Sequence, residues 1–215
     1  MSRTGELRRT QLAQQVATTE NVHQEITSTG IDHRKMLVWL FLASDCMFFG
    51  SLIVTYLIYY GQSVVGPTPT DVFSIPVTSV STFVLLISSF MMVLAYNAIS
   101  HGRVKAFRIW LLGTAILGAT FLGFQVFEFF EFSHGEHHLT PRTNFFGTTF
   151  FTLTGFHGAH VTIGVIWLLS LIGVSFKRDL TKDHALNVDM AALYWHFVDI
   201  VWIVIFTLVY LIGVS

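Results

Sequence analysis

Two histidines three residues apart, His157 and His160, stand in the stretch TGFHGAHVTIG (154–164), which is otherwise apolar and glycine-rich. Positions i and i+3 share a helix face, so both imidazoles are expected to point the same way. Imidazole can ligate a metal, carry a proton, or donate and accept hydrogen bonds. At membrane depth it needs one of those partners, because lipid offers none. Other ionisable groups pose the same question. Asp45 interrupts FLASDCMFFGS (41–51), and His196 and Asp199 stand three residues apart in YWHFVDIVWIVIF (194–206). Glu128 lies in GFQVFEFFEF (123–132), with Gln125 three residues before it and Glu131 three after.

The elements that must position these groups are apolar helices. The chain has 215 residues, 53% hydrophobic and 12% charged. Soluble domains usually carry about 25% charged residues. The apolar residues fall into five runs, at about 36–60, 75–98, 108–130, 145–176 and 189–212. Each exceeds the ~20 residues that cross ~30 Å of hydrocarbon as a helix. The expected fold is therefore all-α, a polytopic bundle of five transmembrane helices (36–215) behind a polar tail (1–35). A short interfacial helix is expected near 7–16 of that tail. The fourth run is too long for one upright span and should tilt or project.

Basic residues orient the bundle. Eleven of the twelve Lys and Arg residues fall in the tail, the second loop and the fourth loop; Arg142 alone falls on the other side. That bias places the N-terminus in the cytoplasm and the C-terminus outside. The single Cys46 excludes a disulfide framework or a cysteine-based metal site, and no basic patch points to nucleic acid. No apolar stretch precedes the first long run as a signal peptide would.

Small residues recur at intervals of four at Ala115, Ala119 and Gly123, with Thr114 and Gly118 alongside, and again at Gly155 and Ala159 and at Thr154 and Gly158. Such stripes are expected at close helix contacts. The loop at 132–144 carries His134, Glu136, His137 and His138. Without a fixed ligand spacing it reads as a wet polar loop rather than a metal site.

Asp45 lies roughly 13 Å into its span at ~1.5 Å per residue, and Asp199 lies at a similar depth. An Asp at the bilayer centre costs roughly 3 kcal/mol, so both need a reason. Glu128, near the outer end of its span, is placed to reach water or a partner chain. Three classes stay open on the residues alone: a haem-binding membrane anchor, a proton or ion transporter, and an accessory subunit whose buried polar groups fix helix packing. His157 and His160 are too close to ligate opposite haems. No inverted repeat or proline-broken span supports a transporter.

Taken together and in order, the four quoted stretches resemble subunit III of the haem-copper terminal oxidases, the cytochrome c and quinol oxidase family. The likeness runs from about Trp39 to Gly213 and does not reach the tail. It implies a five-helix form of an accessory subunit with no haem, copper or other metal of its own and no catalytic residue. It further implies packing on subunit I, which holds the haem and copper, alongside subunit II and a small subunit IV, in a bacterial plasma membrane. The complex would reduce oxygen to water and pump protons. This chain would bind phospholipid, support proton uptake and protect the catalytic subunit.

The resemblance puts the family's buried carboxylate at Asp45 and its third-span Glu at Glu128. It puts the paired histidines at His157 and His160, and the fifth-span signature at Trp195, His196 and Asp199. Asp45 and Asp189 stand where Glu is common, so each carboxylate reaches one methylene less far. Arg103, Arg108, Lys177, Arg178 and Trp39 are the candidates for lipid headgroups. The SDC of the first span looks more like quinol oxidases, and GFHGAHVTIG more like cytochrome c oxidases. Cytochrome c, the larger group, is the first expectation for the donor and quinol the alternative.

Overall fold

The structure, a computed structural model, describes residues 32–60, 75–134, 145–177 and 185–211. These form α1 (His33–Tyr59), α2 (Ile75–Ser100), α3 (Val104–His134), α4 (Phe145–Lys177) and α5 (Ala185–Ile205), and α5 continues into a π-helical turn, Phe206–Leu211. All five helices are long and apolar enough to cross a membrane. The expected short helix in the tail, and the loop residues Glu136, His137 and His138, lie outside the described residues. His134 ends α3 rather than opening a loop.

Local signals explain the ends. Asp32 caps α1, its carboxylate accepting from the Arg34 amide at 2.8 Å. Pro76 sits in the first turn of α2, where its missing N–H costs nothing. At the other end Gly102 takes φ 72°. The Arg103 amide bonds back to Ala98 O (2.8 Å) and the Gly102 amide to Ile99 O (2.9 Å), a Schellman closure that turns the chain sharply into α3. Arg108 then ties the start of α3 to the end of α4. Its Nε donates to Ser175 Oγ at 2.7 Å and its Nη2 to the Ser175 carbonyl. Its guanidinium lies 4.5 Å over the Phe176 ring.

Helices α2, α3, α4 and α5 pack in cyclic order, α5 closing against α2. The post of this ring is α5, whose Trp195 and Trp202 are almost fully buried. The indole of Trp195 occupies notches left by two glycines. A methyl group at Gly118 would stand 2.5 Å from it, and one at Gly164 2.9 Å from it. Its N–H donates to Ser88 Oγ of α2 (3.1 Å), while the Trp202 N–H donates to Thr82 Oγ1 of α2 (3.0 Å). Gly158 likewise makes room for the Gln125 side chain.

The small-residue stripes therefore work differently from the expectation. Gly118 and Gly158 are seats for large side chains. Ala119, Gly123 and Ala159 face outward, and nothing lies within 4 Å of where a Cβ would stand at Gly123 or Gly155. Backbone-to-backbone approach was the expected use of these residues; ring-into-notch packing is the one observed.

Helix α1 is held more lightly. It buries only Leu42, Phe49 and Tyr56, one residue in seven along a narrow seam. The seam meets α4 through side chains: Phe48 on Phe156 (ring centroids 5.2 Å), Phe49 on His160 (5.0 Å) and Tyr59 on Phe145 (5.3 Å).

Gly118→Ala is expected to cost about 1–3 kcal/mol by forcing the Trp195 ring off its seat. Gly50→Ala, where the added methyl meets nothing within 4 Å, should leave stability unchanged. Thermal unfolding of the two variants in mild detergent, followed by tryptophan fluorescence, checks the contrast.

Candidate functional site

The ionisable groups singled out in the sequence do not converge on one centre. The packing distributes them over four places, each between different helices.

At the α1–α4 seam, Asp45 meets His160. The His160 ring donates through Nδ1–H to the Phe156 carbonyl (2.7 Å), which leaves Nε2 to face Asp45 Oδ2 at 3.6 Å. That separation permits an ion pair but exceeds a hydrogen bond. One more methylene, about 1.5 Å of bond, would close the gap, so the Asp at this position has a visible consequence. Tyr194 of α5 donates to the His160 carbonyl at 2.9 Å and stacks on Phe41. Both members of the pair are partly exposed, at 13% for Asp45 and 16% for His160. A carboxyl and an imidazole with one free nitrogen can hold a proton between them and pass it on.

His157 does something else. It is fully buried, with Nε2–H donating to the Val198 carbonyl of α5 at 3.2 Å. Its ring packs on Trp202 (centroids 4.8 Å) and edge-on to Phe121 (5.9 Å). Nδ1 has no hydrogen-bond partner among the described residues. The expectation that both imidazoles point the same way holds only in part. Three residues on an α-helix leave their directions about 60° apart. Here that is enough to send His157 into the bundle and His160 toward α1, with Phe49 touching both rings.

The third place joins α2 and α5. Ser89 Oγ lies 2.6 Å from His196 Nδ1, and Asp199 stands within reach of the same hydroxyl. His196 and Asp199 do share a face, as their spacing predicts, and one serine links them. Asp199 is 4% exposed, and its Oδ1 has no partner among the described residues.

The fourth place corrects the reading of Glu128. It does not reach water: it is 4% exposed, accepts from Thr78 Oγ1 of α2 at 2.5 Å and hydrogen-bonds the Tyr210 side chain. The π-helical turn carries Tyr210, so α3 is bound to both α2 and the end of α5. Gln125, one turn earlier, donates to the Thr154 carbonyl at 2.6 Å. Position near a helix end misled because Tyr210, beyond α5, covers the carboxyl there.

Among the lipid candidates, Arg103, Lys177 and Trp39 are exposed, and Arg178 lies outside the described residues. Arg108 is committed to Ser175 and Phe176, which leaves it least free for a headgroup. Among the described residues no three of His, Cys, Asp and Glu stand together as a metal site. The residues the motif reading missed are Thr78, Thr82, Ser88, Ser89 and Tyr210. A hydroxyl in a helix usually bonds its own backbone, and Ser88 also does so through Leu85 O. Only the Ser88–Ser89 pair in an apolar run hinted at more.

The family model for Cytochrome c oxidase subunit III matches residues 9–214. The match thus enters the tail, beyond the Trp39 start that the motifs mark. Cytochrome c oxidase subunit 3 of Bacillus sp. (strain PS3) is 41% identical over 175 residues, 81% of this chain and 84% of that protein. In Bacillus subtilis (strain 168), quinol oxidase subunit 3 is 38% identical over 177 residues, 82% of this chain and 86% of its own length. Cytochrome c oxidase subunit 3 of the same strain is also 38% identical, over 175 residues, 81% of this chain and 84% of its own length.

His157→Ala is expected to destabilise the bundle by on the order of 3 kcal/mol. It leaves a cavity beside Trp202 and removes the hydrogen bond that joins α4 to the Val198 carbonyl of α5. A fall in the detergent melting midpoint reads this out; a midpoint equal to wild type would mean the ring is dispensable to the packing.

Proposed function

The chain belongs to the cytochrome c oxidase subunit III family, and on that premise we propose that it is the accessory, cofactor-free subunit of a proton-pumping oxidase that reduces oxygen to water. The match over residues 9–214 carries this reading. In it the chain packs on subunit I, with subunit II and a small subunit IV in the same complex, in a bacterial plasma membrane. The N-terminus lies in the cytoplasm and the C-terminus outside, as the distribution of Lys and Arg favours. Haem and copper belong to the partner subunits. In this chain the two histidine side chains of the fourth span are already engaged, His157 with Val198 and His160 with Phe156 and Asp45.

Within this reading Asp45 and His160 are the groups that handle protons, and Glu128, His157, His196 and Asp199 hold the helices in register. Phospholipid headgroups are held by the exposed Arg103 and Lys177, with Arg178 next to Lys177 in sequence, and the exposed Trp39 is a separate candidate. Cytochrome c is the donor we favour, in line with the 41% identity to a cytochrome c oxidase subunit 3. The quinol oxidase relative at 38% is the observation behind the second reading.

Purification of the tagged chain in mild detergent is expected to bring down material with reduced-minus-oxidised haem bands. Those bands should be absent from the chain once it is stripped of its partners. Oxygen consumption by the complex with reduced cytochrome c, compared with quinol, then assigns the donor. Haem that stays with the isolated chain would overturn the reading.

Asp45→Asn should leave assembly and initial turnover intact and shorten the time for which the complex survives turnover. Inactivation kinetics equal to wild type would reduce Asp45 to a packing residue.

A further inference from the structure

His196 is only half buried, although it stands in the middle of a membrane span. Counted from the ends of their helices, Ser89 is eleven residues before Ser100 and His196 eleven after Ala185. Because α2 and α5 run in opposite directions, both lie roughly 16 Å from the same side at ~1.5 Å per residue. Their pairing is therefore in register near the bilayer centre. Around them the α2–α5 wall is apolar and outward-facing: Leu86, Val93 and Ile200 are exposed, and Leu193, one turn before His196, is half buried. Ser89 is the small residue in the middle of this patch.

The hydrogen-bonding state of the imidazole decides what this wall can meet. With Asp199 as a carboxylate, the chain runs from His196 Nδ1–H to Ser89 Oγ and from Ser89 Oγ–H to Asp199, leaving Nε2 as an acceptor. With Asp199 protonated the direction reverses, and Nε2–H is a donor. In either arrangement the second ring nitrogen has no hydrogen-bond partner among the described residues. Lipid cannot satisfy it, and polar groups inside spans are rarely left facing hydrocarbon.

We propose that the α2–α5 wall centred on His196 and Ser89 is the seat of a transmembrane helix from another oxidase subunit. That helix carries a hydroxyl or carboxamide side chain at mid-span. Such a side chain, on Ser, Thr, Asn or Gln, both donates and accepts, so it matches Nε2 in either state. Leu86, Val93, Leu193 and Ile200 supply the apolar contact around the imidazole, and the small Ser89 leaves room for the helix to approach it. This rests on the reading of the chain as an oxidase subunit and adds to it the face that meets the partner.

A photo-reactive phenylalanine analogue placed singly at Val93 or Ile200, with His196 intact, tests the seat in native membranes. Control positions are Met47 on α1 and Ile116 on α3, both exposed. The expected result is covalent attachment from Val93 and Ile200 to a transmembrane peptide of a haem-containing partner, identified by mass spectrometry. Yields should be at least tenfold above the controls. His196→Leu should lower the haem co-purifying per chain at least tenfold, and His196→Gln, which keeps a donor and an acceptor, should restore most of it.

Attachment to lipid alone from Val93 and Ile200, or to the partner only from the controls, would overturn the seat while leaving the oxidase reading standing. Attachment to a second copy of this chain would overturn it in favour of a homodimer face. A chain that brings down no haem in any form would overturn both.

Discussion

Anchoring α5 within the ring of four helices is what the remaining packing depends on. Its two indoles are large, rigid and nearly fully buried, and each has one N–H that hydrocarbon cannot satisfy. Both protons go to hydroxyls of α2, Ser88 and Thr82. Trp195 also needs the absent side chains of Gly118 and Gly164. One residue thereby sets the spacing of α3 and α4 from α5 and the register of α2 along it. His157 adds a further link from α4, through Val198 O and the face of Trp202.

That arrangement also decides where the polar groups stand. Where the ring of four helices closes, several buried side chains join helices: Glu128 with Thr78 and Tyr210, Gln125 with Thr154, His157 with Val198. Outside the ring, α1 leans on α4 through aromatic side chains and one carboxyl–imidazole pair at 3.6 Å. The loosest seam is the one that carries the Asp45–His160 pair.

Several features were legible in the residues because they depend on local chemistry. Apolar run length sets the number of spans, and Lys/Arg placement sets their expected sense. The quoted motifs point to the family that the match over 9–214 shows. The i, i+3 spacing of His196 and Asp199 correctly puts them on one face. The same rule overreached at His157 and His160, since a shared face about 60° wide can meet two neighbours.

The class of fold, the five membrane-spanning helices, the family, and the groups that would need partners in a medium that supplies none were all readable in the residues. The identity of those partners came from the packing. It seated Trp195 in two glycine notches, drew Glu128 under the π-helical turn, and left the second nitrogen of His196 on an outer wall. The reason is physical. Run length, charge and capping act within a few residues, whereas a hydrogen bond between helices depends on their rotation and offset. An apolar helix surrounded by apolar neighbours has many rotations of similar hydrophobic energy, and only the fit of rings, notches and hydroxyls selects one.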